Sequence, residues 1–429
     1  MGTIILNLEH ITCLTPMGGN KKYSGYKPYS YLEPETDYEI IKYKEPLPKE
    51  WAYTYPLSKA EEERFKEFVE KNMIVDLHEH PVLHPLNMME DENNEGREVM
   101  AYDALALSGI DAVFDNQMDG GCAITSKHGN HWTDVIQNLG MRLCDIQHQD
   151  FVIHCRKVED IYEAFKTGKL AWVAVIETLN CIENEVDRID VLYGLGVRQA
   201  GITYSESNML GSGLKERGDS GLTDFGYDCV ARMNKVGLLI DVSHCGDKTA
   251  LDAIKESGKP IIISHCGSRT LTPTPRMLPD DVIHELAERG GVFGIEMAGA
   301  VVNTKKHPVS SLEAYTEQLE YCIKTFGIDA VGCGPDTLYG DHIGLYKAGA
   351  IKGKIKGTGH SKRKGAPEHE FLGMAMKLDA FPDYVNGMEN PTEAIPNVIR
   401  WMIKHGYSDE EIAKVVGGNA LRVLKQVWK

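Results

Sequence analysis

Short apolar, β-branched runs recur along this chain, and four of them end in a side chain that can bind a metal ion. They read Ile74-Val75-Asp76-Leu77-His78-Glu79-His80, Val173-Ala174-Val175-Ile176-Glu177, Leu238-Leu239-Ile240-Asp241-Val242-Ser243-His244 and Ile261-Ile262-Ile263-Ser264-His265. A fifth run, Ala330-Val331-Gly332-Cys333-Gly334-Pro335-Asp336, ends in a carboxylate. Apolar runs of this length predict strands buried on both faces. Helical periodicity fills the gaps. The expected strands lie near 73–77, 112–116, 151–154, 172–177, 198–203, 237–243, 260–264, 291–297 and 329–335. The expected helices lie near 133–146, 158–167, 185–193, 222–235, 247–256, 279–289 and 311–325. Such alternation implies parallel strands covered by helices, and roughly eight strands in this rhythm favour a closed (β/α)8 TIM barrel. No Gly-x-Gly-x-x-Gly follows an early strand, which weakens a dinucleotide-binding fold. Side chains beyond the carboxyl ends of barrel strands converge on one mouth, where histidines, a glutamate and an aspartate would form a hydrolytic two-metal site.

The chain has 429 residues, more than a simple single core usually takes, which implies either two domains or one large barrel with extensions. Residues 1–70 are rich in Tyr, Pro, Lys and Glu and read as an N-terminal extension that packs on the barrel or on a partner subunit. Ser58, with Glu61 three residues later, predicts a capped helix start. Residues 71–429 read as the barrel, closed by helices over 392–429. The Gly/Lys-rich stretch 340–370 is either a loop over the site or a solvated loop. A net charge of −17 argues against nucleic acid or an anionic membrane as partner. Ten scattered cysteines without a Cys-x-x-Cys pair read as reduced thiols of a cytoplasmic protein, with no signal peptide or membrane span expected.

His78 and His80 are two apart in an extended segment, so their imidazoles point the same way and can reach one ion, while Glu79 points elsewhere. Glu177 ends an otherwise apolar strand; a carboxylate there must be paired, protonated or metal-bound, and its two oxygens can bridge two cations. His244 and His265 end successive strands and make a natural second metal site. Asp336 can take a proton from a metal-bound water and return it to a leaving amine. Arg276, in Thr274-Pro275-Arg276-Met277-Leu278-Pro279, reads as a loop arginine at the mouth, able to hold a carboxylate.

Over roughly residues 73–425 the chain resembles the membrane (renal) dipeptidases, the peptidase M19 branch of the amidohydrolase superfamily. The resemblance rests on Gly221-Leu222-Thr223-Asp224-Phe225-Gly226, Met233-Asn234, the His244 and His265 runs, Leu278-Pro279-Asp280-Asp281, Gly290-Gly291-Val292-Phe293-Gly294-Ile295 and Gly417-Gly418-Asn419-Ala420-Leu421-Arg422-Val423. It implies two Zn2+ ions bridged by Glu177, with His78 and His80 on the first and His244 and His265 on the second. It further implies Asp336 as proton shuttle, Arg276 as holder of the substrate's free carboxylate, and a homodimer or higher homo-oligomer.

Two positions depart from the family. His80 stands where the family has aspartate, which removes a negative charge from the cluster. Tyr204 stands where the family has a substrate-polarising histidine; its hydroxyl can donate one hydrogen bond to an oxyanion without bringing positive charge. Asn208 aligns with a family asparagine, one insertion away. The expected function is zinc-dependent hydrolysis of a dipeptide or similar short amide by a metal-bound hydroxide. The alternatives are action on a non-peptide amide, lactam or ester, and a family member that has lost catalysis.

Overall fold

The computed structural model describes residues 21–49, 52–86, 98–117, 131–298, 302–344, 347, 370–371, 374–375 and 381–429. Most of the 340–370 stretch lies outside the described residues. The strands that carry the fold are β1 (Val75–Leu83), β2 (Ala112–Asn116), β3 (Val152–His154), β4 (Leu170–Ile176), β5 (Val197–Gly201), β6 (Leu239–Asp241), β7 (Ile262–Cys266), β8 (Val292–Ile295), β9 (Val331–Cys333) and β10 (Leu338–Tyr339). They pair in parallel in the order β9-β8-β7-β6-β5-β4-β2-β1-β10, and β3 pairs with β4 off this path. Helices occupy the expected intervals, among them Trp132–Gln147, Asp224–Val236, Asp247–Glu256, Asp280–Glu288 and Leu312–Phe326. Among the described residues no ladder joins β9 to β1, so the hydrogen-bonded sheet is an α/β half-barrel rather than the closed ring expected from the sequence. The two end strands still approach: the Asp336 N–H donates to the His78 carbonyl at 3.1 Å.

Both faces of the sheet are buried, as the uninterrupted apolar runs require. On the inner face Val75, Leu77, Ala112, Phe114, Val173, Val175, Leu239, Ile262 and Val292 pack with Leu421, Leu424 and Trp428 of the C-terminal helix (Asn419–Val427) and its end. On the outer face Ile74, Val113, Trp172, Ala174, Ile176, Ile240, Ile263 and Phe293 pack against the covering helices. The Asn419 amide closes the lower end by donating to the carbonyls of Ile328 and Val331 at 2.7 and 2.8 Å.

The predicted helix start at Ser58 is present as a capping box with Glu61 at the head of Lys59–Lys71. Upstream of it, Tyr26 and Tyr29 join Tyr102 on the Asp145 carboxylate of the Trp132–Gln147 helix, through two hydroxyls and one backbone N–H, each at 2.7 Å. Asn397 fixes the next stretch by bonding the Tyr55 N–H at 2.8 Å and the Tyr53 carbonyl at 3.0 Å.

Strand backbones come close where the site is built. A Cβ at Gly294 would lie 1.9 Å from the Ser264 carbonyl oxygen, and one at Gly334 would lie 2.0 Å from the same atom. Backbone cannot yield as a flexible side chain can. Gly294→Ala is therefore expected to destabilise the fold by about 1–3 kcal/mol, read as a lower Tm in a circular-dichroism melt. An unchanged Tm would contradict this close approach.

Candidate metal centre

Simple alternation along β1 does not aim its histidines inward. Val75 and Leu77 face the interior, so His78 and His80 would share the opposite face with Asp76. The ladder to β2 slips between Asp76 and Glu79, which pair with Val113 and Asp115 respectively. Three steps on one strand oppose two on the other, a β-bulge that re-aims the residues beyond it. The same slip occurs in β7 before His265, where Ile263 and Cys266 pair with Phe293 and Ile295. Strand β1 also continues to Leu83, past the end near 77 expected from the sequence, because Pro81-Val82-Leu83 remain extended and pair with Val99–Met100 and β10. The histidines thus sit within the strand rather than after it.

The side chains gather around one oxygen. Glu177 Oε1 lies 3.0 Å from His244 Nε2, 3.3 Å from His265 Nε2 and 3.7 Å from His78 Nε2. The Asn116 amide donates to Glu177 Oε2. His244 Nε2 and His265 Nε2 are 3.0 Å apart. Asp336 Oδ1 stands 3.3 Å from His80 Nε2 and 3.7 Å from His78 Nε2. Two ligand groups result, His78–His80–Glu177 and Glu177–His244–His265, sharing the one carboxylate.

A third grouping, His78–Asp241–His265, lies on the other side of the rings. There Ser264 Oγ meets His265 Nδ1 at 2.7 Å and His78 Nδ1 at 3.4 Å. The Asp241 carboxylate accepts from the Ser264 hydroxyl, from Ser243 Oγ at 2.6 Å and from the N–H groups of Ser243 and Ser264 at 3.1 and 3.0 Å. These bonds engage the Nδ1 side of the rings and leave Nε2 pointing at Glu177. Asp241 is an orienting group of the kind that fixes ligand imidazoles, and its oxygens are already committed.

The electrostatics fit a cation. Burial, the chief cause, pushes His78, His244 and His265 well below the ordinary imidazole range, so their ring nitrogens carry free lone pairs at neutral pH. Burial likewise pushes the Glu177 carboxyl up to about 8, against the pull of His80 and Asn116. His78 Nε2 is fully buried without a hydrogen-bond partner among the described residues. Neutral imidazoles gathered around one shared carboxyl group are the donor set that divalent zinc takes.

The remaining site residues differ in how closely they approach. Tyr204 lies flat on the His244 ring, with centroids 4.2 Å apart and planes at 18°. Burial, then the nearby Glu177 and Asp336 charges, pushes its hydroxyl well above the usual range, so it remains a donor. Glu79 points away, accepting from Thr337 N–H and Thr337 Oγ1 at 2.9 Å each. Asn208 does not aim at the centre: its amide donates to the Ile202 carbonyl at 2.8 Å and its oxygen accepts from Leu210 N–H at 2.8 Å, which makes it a turn-former.

Arg276 lies on the loop expected from the sequence, with its side chain buried. The turn Thr274–Met277 and the pairing of Leu278 N–H with the Gly267 carbonyl at 3.2 Å fold it inward. Its guanidinium is fully buried, donating to the carbonyls of Ser243 at 3.2 Å and His265 at 3.1 Å and standing 2.8 Å from Glu296. Asn116, Asp241, Ser264 and Glu296 were not singled out from the sequence as site residues. Asp241 and Glu296 carried the signal that marked Glu177, a carboxylate in or just after an apolar strand; the other two carried none.

No helix among the described residues is long and apolar enough to cross a membrane. Residues 62–348 and 364–429 match the model of the membrane dipeptidase family, peptidase family M19. The chain is 25% identical over 304 residues to dipeptidase tcpJ of Claviceps purpurea, covering 70% of this chain and 61% of that protein. It is 26% identical over 274 residues to dipeptidase verJ of Clonostachys rogersoniana, covering 63% and 59%. The crystal structure of an amidohydrolase from Pseudomonas aeruginosa is 26% identical and superposes with a TM-score of 0.67 over 85% of this chain and 99% of that one. A Rhodobacter sphaeroides metallopeptidase, solved with a phosphinate mimic of L-Ala-D-Ala, shares the fold at 17% identity, with a TM-score of 0.62 over 83% and 99%. With the family model matched along most of its length, the chain belongs to the membrane dipeptidase family, peptidase family M19.

Proposed function

We propose that this protein is a binuclear zinc hydrolase that cleaves the amide bond of a dipeptide or a similar short amide, at the mouth of a barrel completed by the approach of β9 to β1. The observation that carries this reading is the pair of ligand groups sharing Glu177. His78, His80 and Glu177 would hold one ion, and Glu177, His244 and His265 the other. A bound zinc pair lowers the pKa of a water and polarises a substrate carbonyl.

The chain's own residues do the rest. Asp336, with its side chain 11% exposed at the rim while His78 is fully buried, is placed to accept a proton at Oδ1 and pass it to the departing amine. Tyr204 presents a hydroxyl that stays protonated and can donate to the oxygen of the attacked carbonyl. Asp241, through Ser264, keeps the His78 and His265 imidazoles in one orientation and tautomer. Tyr204 in place of an imidazole favours keeping lactams and N-acyl amines beside dipeptides as candidate substrates.

Elemental analysis of protein purified without chelators tests the metal half, with about two equivalents of zinc expected per chain. Trace metal alone would sink it. A panel of L,L- and L,D-dipeptides, lactams and N-acyl amino acids tests the chemistry; a zinc-loaded protein inert towards all of them would point to the non-catalytic alternative.

A further inference from the structure

Asp336 reaches the centre in a conformation that most side chains avoid. Its φ of 56° lies in the left-handed region, and such a conformation lasts only where the surroundings hold it. The peptide unit joining Asp336 to Thr337 decides the matter, and both of its polar ends are held by buried side chains. Thr337 N–H donates to Glu79 Oε2 at 2.9 Å. The Asp336 carbonyl accepts a hydrogen bond from the imidazole of His342. His342 is fully buried. Burial, ahead of the neighbouring His80 and His84, pushes it down to about 3, so the ring is neutral and keeps one N–H to give.

The imidazole stands on a fixed mount. The chain turns at Gly340, whose φ of 104° suits glycine. Beyond the turn, the Asp341 carboxylate pairs with Lys44 of the N-terminal extension and accepts from Gly344 N–H at 2.6 Å. His342 N–H donates to Glu389 Oε1 at 3.1 Å, and Glu389 Oε2 accepts from Val385 N–H at 2.5 Å. None of the ligand groupings among the described residues includes His342.

We propose that His342 is a positioning residue for Asp336: by holding the Asp336 carbonyl, it keeps the carboxylate facing His78 and His80, where a proton is to be taken and returned. The proposal rests on the amide-hydrolase reading above, in which Asp336 is the proton shuttle. Without the His342 bond, the peptide unit is held at its Thr337 end alone and is free to rotate. Asp336 then relaxes towards the common backbone conformations, and its Oδ1 leaves its place 3.3 Å from His80 Nε2. A misplacement of about 1 Å in a reacting group is enough to cost about a hundredfold in rate.

Two variants of similar size test this in the full chain: His342→Gln keeps a donor, and His342→Met removes it. Hydrogen exchange read by mass spectrometry on peptides spanning residues 334–342 is expected to quicken at least about tenfold in His342→Met and to stay within about twofold of wild type in His342→Gln. With zinc-loaded protein and the best-cleaved compound of the dipeptide, lactam and N-acyl amino acid panel, His342→Met is expected to lower kcat about 10–100-fold, with KM and zinc content unchanged. The same substitution in an Asp336→Asn background is expected to cost less than about twofold, because a residue that acts through Asp336 has nothing further to lose there. Unchanged exchange in His342→Met overturns the proposal. So does an equal loss of kcat in both backgrounds, which a merely structural role would give. If His342→Met does not fold, His342→Gln decides: fast exchange overturns the proposal, and wild-type exchange with near wild-type kcat supports it. If the zinc-loaded wild type cleaves nothing on the panel, the exchange comparison alone decides the positioning role, and the hydrolase reading fails separately.

Discussion

Glu177→Ala is expected to remove both ions together and to lower hydrolysis by about a thousandfold or more. The reason is that Glu177 Oε1 belongs to both ligand groups. Without it each group falls to two neutral imidazoles, which hold zinc far more weakly than two imidazoles and a carboxylate. Elemental analysis should show well below one equivalent of zinc, with the far-ultraviolet circular dichroism unchanged. The loss should not mimic unfolding, because burial already holds the Glu177 carboxyl at a desolvation cost that its removal relieves. A variant that still bound two zinc ions at wild-type affinity would show that Glu177 is not the bridge.

Asp336→Asn separates metal binding from proton transfer. Turnover is expected to fall about 10²–10⁴-fold while zinc content and KM stay near the wild-type values. Asparagine is the informative replacement because of the backbone. Asp336 has a φ of 56°, in the left-handed region that most side chains avoid and asparagine tolerates. Such a conformation costs roughly 1–3 kcal/mol and persists only where the surroundings hold it. Here Asp336 N–H bonds the His78 carbonyl, Met297 N–H bonds the Pro335 carbonyl at 2.8 Å, and Thr337 is pinned to Glu79 through both its N–H and its hydroxyl. The amide should occupy the same place as the carboxylate but cannot take up the proton. Near-normal turnover would remove Asp336 from the mechanism.

The strand-end residues were legible in the sequence because burying a polar group at the end of an apolar run needs a reason, and Glu177, His244 and His265 each supplied one. His78 and His80 do stand in one group with Glu177, but which way the pair faces depends on the slip between Asp76 and Glu79. A bulge is a property of two strands and leaves no mark in one of them. Arg276 was located on its loop, but its burial was not legible, since it depends on a turn and on Glu296 at the end of the next strand. Asn208 was drawn from alignment alone and serves its own loop. Asn116 sits at the end of a strand to which no site residue was assigned, and only the proximity of β2 and β4 gives its amide a partner. Closure of the ring was inferred from rhythm, and rhythm counts strands without showing which edges meet.

The two ligand groups are of the same kind, each with two imidazoles and a share in one carboxylate. A first ion arriving at the empty protein would find the same kinds of ligand in both, with the Asp336 carboxylate beside His78 and His80 as the difference between them. The half-loaded protein is then a population of two isomers, distinguished by which side of Glu177 is filled. Cobalt titrated to one equivalent should give a composite optical spectrum, and only the second equivalent should resolve it into that of a single species.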